Sequence, residues 1–126
     1  TRLKSSAQQD HLSNVEIVWG DIEKVGGTKL GTGIADIVIM ANVLFQLPDN
    51  PTALKEAKRI LHKGGRLLLI DWSSSFKNIG PRQQDVVHDV DARKLAEDAG
   101  FTFAHVVQAG SYHYGQVYTA CHTYLR

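Results

Sequence analysis

The sequence predicts an α/β fold, built on a mostly parallel sheet with a terminal antiparallel strand. Three observations carry this. Strand-like and helix-like segments alternate along the chain. Two near-continuous apolar runs, Ala35 to Met40 and Leu67 to Ile70, have the composition of parallel strands covered on both faces. The last two strand-like segments are joined only by Gly110 to His113, a link too short for a crossover, so that pair must be antiparallel.

In chain order, Thr1 to Gln9 is polar and reads as the tail of a helix. Val15 to Trp19 is β-branched and aromatic, and is predicted to be a strand ended by Gly20 and Asp21. Ile22 to Gly33 holds four glycines and little periodicity, which predicts a flexible loop. Asn50 to His62 is the clearest helix. Asn50 can cap it, Pro51 suits its first turn, and Leu54, Ala57, Ile60 and Leu61 form one apolar stripe. Gly64 is the expected left-handed stop. Arg66 to Trp72 is the next strand, and Ser73 to Gln84 a polar loop. A second helix is expected over Val90 to Ala99, with Asp89 as cap and Gly100 as stop. Phe101 to Val107 and Tyr114 to Cys121 complete the strands.

Composition narrows the function classes. The 126 residues carry fourteen Lys and Arg against thirteen Asp and Glu, a net charge of +1. Mean hydropathy is -0.20 and the pI is near 7.9. A near-neutral chain makes no large field of one sign, which argues against nucleic acid or an acidic membrane as partner. A single cysteine, Cys121, excludes an internal disulfide framework and a multi-cysteine zinc site. No apolar run approaches the roughly 20 residues that span a bilayer, and no secretory leader is evident, so a cytoplasmic location is expected.

The order of weak motifs is more specific than any one of them. It runs through Asn14-Val15-Glu16-Ile17-Val18-Trp19-Gly20-Asp21, then Ala35-Asp36-Ile37-Val38-Ile39-Met40-Ala41-Asn42-Val43-Leu44. It continues through Ala57-Lys58-Arg59-Ile60-Leu61 into Lys63-Gly64-Gly65-Arg66-Leu67. This resembles the carboxyl-terminal part of class I S-adenosylmethionine-dependent methyltransferases, with their Rossmann-like sheet. Ala99-Gly100-Phe101 followed by Tyr112-His113-Tyr114-Gly115 looks like a menaquinone-methyltransferase-like subgroup. The resemblance implies S-adenosyl-L-methionine as cofactor. Asp21 would accept from the adenine amino group. The Ile22 N–H would reach a ring nitrogen while its side chain flanks the base. Asn42 and Val43 would pass under the methionine moiety and the sulfonium. Phe45 and Gln46 stand where the family often has His-His.

The family's Gly-rich loop and the acidic end of its second strand would both precede Thr1. Gly26, Gly27, Gly31 and Gly33 do not replace them, because a phosphate-cradling loop follows a strand and opens a helix. These glycines precede the Ala35 strand. The expectation is therefore a single partial methyltransferase domain over 1–126, truncated at the amino end, without the first two strands and the Gly-rich loop. Strand edges left unpaired would make the chain weakly stable or self-associating.

For the acceptor, the candidate residues are Asp71, Trp72 and His113. Asp71 ends a parallel strand, where ligands of open α/β sheets lie. Its carboxylate can orient a substrate or serve as a base, with a structural hydrogen bond as the competing role. Trp72 can line a substrate pocket or pack in a core or lid. Alternation puts Tyr112 and Tyr114 on one side and His113 on the other. His88, Asp89 and Asp91 have metal-ligand chemistry, but capping explains Asp89, and no metal site is expected. Cys121 and His122 point to opposite faces and form no nucleophile pair. Lys55, Lys58, Arg59, Lys63 and Arg66 read as a solvated helix face, with an anionic-partner site as the alternative.

The leading reading is thus methyl transfer to a small-molecule acceptor. Its alternative is a non-catalytic methyltransferase-like scaffold or dimerisation module. A short-chain dehydrogenase would need Tyr-x-x-x-Lys, and a hydrolase the Gly-x-Ser-x-Gly elbow; neither is present.

Overall fold

The computed structural model describes residues 14–77 and 79–120. The readings of Thr1 to Gln9, Cys121 and His122 fall outside them. Four strands form one sheet in the order β1-β2-β4-β3: β1 Ala35–Ala41, β2 Leu61–Trp72, β3 Thr102–Gln108 and β4 His113–Thr119. β1 and β2 run parallel, joined by helix α1, Asn50–Ile60. β2 leads through α2, Asp89–Asp98, to β3 at the sheet edge, and β4 turns back antiparallel between β2 and β3. The sheet is therefore mixed and open. Its parallel component is the β1–β2 pair, and the expected terminal antiparallel strand is β4.

Both helices pack on one face. Met40 of β1, Leu67 and Leu69 of β2 and Tyr118 of β4 meet Ala53, Leu54 and Ala57 of α1 and Ala92 and Ala96 of α2. The small residues on the helices let them sit close to the sheet, and Tyr118 fills the remaining space. Its hydroxyl donates to Gln116 Oε1 at 2.7 Å, and Gln116 Nε2 donates to the Asp89 carbonyl at 3.0 Å. The polar ends of Tyr118 and Gln116 are thus paired, as burial demands.

The other face is different. The apolar run of β1 predicted cover on both sides, yet Ile37 and Ile39 are 62% and 63% exposed. Among the described residues no helix lies over them. Val15 to Trp19 is also not a strand: no described strand pairs with it, so its β propensity has no ladder to join, and Val15, Val18 and Trp19 are exposed.

The helix ends correct the sequence reading locally. Asp49, not Asn50, caps α1, accepting from Thr52 N at 3.2 Å; Asn50 and Pro51 lie inside the first turn. With its amide nitrogen turned toward them, Asn50 donates to the Leu44 and Leu47 carbonyls at 3.0 and 3.2 Å. α1 stops at Ile60 because Leu61 is already extended and paired with Ala35. Gly64 does not end the helix. Its φ of +83° serves an irregularity in β2, between the pairings Ala35–Leu61 and Ile37–Arg66. α2 begins at Asp89, preceded by His88 with no side-chain cap. It ends as expected at Gly100: Gly100 N donates to the Glu97 carbonyl and Phe101 N to the Ala96 carbonyl, the paired bonds of a Schellman stop.

Candidate functional site

Three connections converge at the carboxyl end of the parallel pair: the segment after Asp21, the turn after β1 and the loop after β2. Hydrogen bonds tie them together. Glu23 Oε2 accepts from Asp49 N at 2.7 Å, joining the first segment to the start of α1. Asp71 Oδ2 accepts from Leu44 N at 2.9 Å, joining the end of β2 to the turn after β1. Ser73 N donates to the Tyr112 carbonyl at 2.9 Å, joining the loop after β2 to the start of β4.

Asp21 is exposed. Its Oδ1 accepts from Glu23 N at 2.9 Å, an Asx turn, and its own N donates to the Gly27 carbonyl at 2.8 Å. Oδ2 has no partner among the described residues. Trp19, Gly20, Asp21, Lys24 and Gly27 line an open cleft of about 420 Å³. Ile22 lines an adjoining cleft of about 240 Å³ with Val18 and Thr28, and also packs on the core. Asn42 and Val43 line neither cleft.

Asn42 has φ +59°, a left-handed conformation that Asn tolerates better than most residues. Its N donates to the Ile70 carbonyl at 2.8 Å, and its carbonyl accepts from Gln46 Nε2 at 2.7 Å. Val43 follows, immediately before the 3-10 turn Leu44–Gln46. Gln46, which replaces an expected histidine, therefore holds the Asn42 carbonyl while leaving its second lone pair unused.

Asp71 is fully buried, and both carboxylate oxygens face backbone donors: Oδ2 the Leu44 N–H and Oδ1 the Trp72 N–H at 2.9 Å. Burial pushes its carboxyl above the ordinary carboxylate value, against the pull of those N–H groups, of Phe45 N and of His113. Trp72 and His113 are register partners on the face away from α1 and α2. Their rings lie 4.3 Å apart, and Phe76 and Tyr112 join them, 4.8 Å from each other. Tyr112 thus sits with His113 rather than with Tyr114, because it precedes β4 and the strand alternation does not reach it. Tyr114 faces the helices, its hydroxyl donating to the Val87 carbonyl at 2.6 Å. Gly80, at φ +81°, lies against the Trp72 ring so closely that a Cβ would fall 2.8 Å from it. His113 Nε2 is buried without a hydrogen-bond partner.

Sequence reasoning missed the pair that anchors the first segment. Glu56, fully buried in α1, meets Arg59 in a bidentate contact of 2.7 and 2.8 Å and also receives bonds from Gly26 and Thr28. The i, i+3 spacing of an acid and an arginine was the available signal. Arg59 is therefore not part of a solvated basic face. Lys55, Lys58 and Lys63 border a depression of about 470 Å³ at the opposite, amino-terminal end of the strands. Among the described residues there is no cluster of His, Cys, Asp and Glu able to hold a metal, and none of the helices is long and apolar enough to cross a membrane.

A family model described as "Methyltransferase domain" matches residues 1–69, more than half of the 126. The chain belongs to the methyltransferase-domain family. This methyltransferase-domain chain is 37% identical over 65 residues to arsenite methyltransferase of Homo sapiens, a match covering 52% of the chain and 17% of that protein. Its fold superposes on a SAM dependent methyltransferase from Aquifex aeolicus with a TM-score of 0.82 and 26% identity, over 93% of this chain and 61% of that one. It also superposes on the [4+2]-cyclase SpnF, at TM-score 0.69 and 18% identity, over 82% of this chain and 38% of that one. The chain thus spans less than two thirds of each of these proteins. A shared fold does not dictate one reaction, so function is decided at the site.

Proposed function

We propose that residues 1–126 form one partial methyltransferase domain. It carries the carboxyl-terminal part of an enzyme that transfers a methyl group from S-adenosyl-L-methionine to a small-molecule acceptor. The observation that carries this is the Asp21 carboxylate: one oxygen is used by its own turn, the other has no partner among the described residues, and Asp21 lines an open cleft. That is the acceptor an adenine amino group needs. The rest of the chain's work is positional. Ile22 supplies an apolar flank for the base. The Asn42 carbonyl, held by Gln46, offers its second lone pair to a positive centre, with Val43 beside it. When bound, the cofactor supplies an electrophilic methyl on a sulfonium.

On the acceptor side, Trp72 and His113 form the wall, with Phe76 and Tyr112. Asp71 acts from beneath, by holding the turn that carries Asn42. The finer likeness to menaquinone methyltransferases enters through Tyr112-His113-Tyr114-Gly115, and favours an apolar ring-bearing acceptor. The chain's near-neutral charge supports a partner other than nucleic acid or membrane, in a cytoplasmic setting.

Calorimetric titration with S-adenosylhomocysteine tests the reading. Saturable binding is expected, weakened in Asp21→Ala by about 1.5–3 kcal/mol, the range for a hydrogen bond to a charged group. A well-folded chain that shows no binding would favour the scaffold alternative. Self-association belongs to the same reading, since β1 is an edge strand with Ile37 and Ile39 exposed. Sedimentation velocity is expected to show concentration-dependent dimers that Ile37→Lys with Ile39→Lys disperses. A monomer at high concentration with a sharp melt would remove this part.

A further inference from the structure

The loop after Asp21 is fastened to α1 by a buried ion pair. Glu56 Oε1 accepts from Gly26 N at 2.7 Å, and Oε2 accepts from Thr28 N at 3.2 Å and Thr28 Oγ1 at 2.5 Å. Arg59 grips the same carboxylate with Nε and Nη2, and its guanidinium reaches onward to the Leu30 carbonyl at 2.7 Å and Thr32 Oγ1 at 3.0 Å. Two side chains one helical turn apart thus hold the loop at four residues between Gly26 and Thr32.

The fastening passes directly to Asp21. Gly27 lies between the two residues that Glu56 holds, and its carbonyl receives the Asp21 N–H at 2.8 Å. Gly27 also packs backbone to backbone on Asp21, where a Cβ would come within 2.1 Å of the Asp21 carbonyl oxygen. Gly20 is pressed in the same way: a Cβ there would come 2.6 Å from the Gly27 carbonyl oxygen. Gly27, which read as flexibility in the sequence, is here a close backbone contact.

We propose that Glu56 and Arg59 are positioning residues for the cofactor: they fix the Gly26–Thr28 loop, and through Gly27 they set where Asp21 presents its open carboxylate oxygen. The inference rests on the cofactor reading of Asp21 given above. Neither residue touches the cofactor. Each acts by keeping the loop in its binding-competent arrangement, so that binding does not have to select it from alternatives.

The test titrates S-adenosylhomocysteine into the wild-type chain, Glu56→Gln, Thr28→Val and Thr28→Ser, and follows amide hydrogen exchange at Gly26 and Thr28. Ala96→Gly in α2, far from the loop, matches the loss of melting temperature. If the latch populates the competent loop, Glu56→Gln is expected to weaken binding about tenfold or more, with faster exchange at both amides, as apparent affinity falls with the competent fraction. Thr28→Val loses a smaller part, Thr28→Ser restores it, and Ala96→Gly leaves affinity unchanged. Affinity that follows melting temperature equally in all variants would overturn the proposal, as would Glu56→Gln or, should that variant not fold, Thr28→Val binding as wild type does. A wild-type chain that binds nothing removes the cofactor reading itself, and this proposal with it.

Discussion

Glu56→Ala is expected to be the most destabilising single substitution at the site, by about 3–5 kcal/mol, the range for removing one partner of a buried ion pair. The reason is what it leaves behind. Arg59 keeps its charge with only 21% of its side chain exposed. Gly26 N, Thr28 N and Thr28 Oγ1 lose their acceptor together. Urea denaturation should therefore show Glu56→Ala with Arg59→Ala losing less than the two single losses added, because the second substitution removes the stranded charge. The pH dependence has a fixed sign. The Arg59 guanidinium, with the Thr28 hydroxyl and the loop N–H groups, holds the Glu56 carboxyl well below its ordinary 4.5. A carboxylate depressed on folding stabilises fully above its unfolded value and loses that contribution as pH falls below it. Wild-type stability should fall along this acid limb, and Glu56→Gln should flatten it. An acid limb identical in both would show that the pair is not what acid disrupts.

Much of the fold was legible because it is written in local periodicity. β1, β2, both helices and the β3–β4 hairpin were each marked by an apolar pattern and each is present, though β2 begins at Leu61 rather than Arg66 and takes in the residues expected to end α1. What was not legible depends on partners. Val15 to Trp19 has strand composition, but a strand exists only where another strand accepts its hydrogen bonds. Ile37 and Ile39 read as buried, but burial needs a covering layer, and composition cannot say which face has one. At the site, Asn42, Trp72 and His113 could be nominated because they stand at strand ends, and Asp21 because it follows a segment of strand composition. The Glu56 and Arg59 latch was hidden because its partners lie about thirty residues upstream, in a loop whose glycines suggested freedom. Tyr112 was put on the wrong side for a related reason: alternation holds inside β4 and not one residue before it.

Asp71 gives the second large effect, with the opposite pH sign. Asp71→Ala strands two backbone donors, Leu44 N and Trp72 N. Each is expected to cost about 1–3 kcal/mol where no water replaces the carboxylate. Asp71→Asn keeps the size, but its amide can accept from one N–H while turning a donor toward the other, so a smaller loss is expected. Burial raises the Asp71 carboxyl above its ordinary value. A carboxyl raised on folding contributes fully below its unfolded value, and that contribution is lost as pH rises through the folded one. Wild-type stability relative to Asp71→Asn should therefore fall with rising pH, while relative to Glu56→Gln it should rise. The same variant separates the two roles a strand-end carboxylate can play. If Asp71 were the base for the acceptor, Asp71→Asn would abolish turnover and leave cofactor affinity intact. Because Oδ2 is spent on the turn that follows Asn42 and Val43, and Oδ1 on the Trp72 N–H, the expected result is the other one: weaker S-adenosylhomocysteine binding and lower stability together, with no new pH dependence in the turnover that remains.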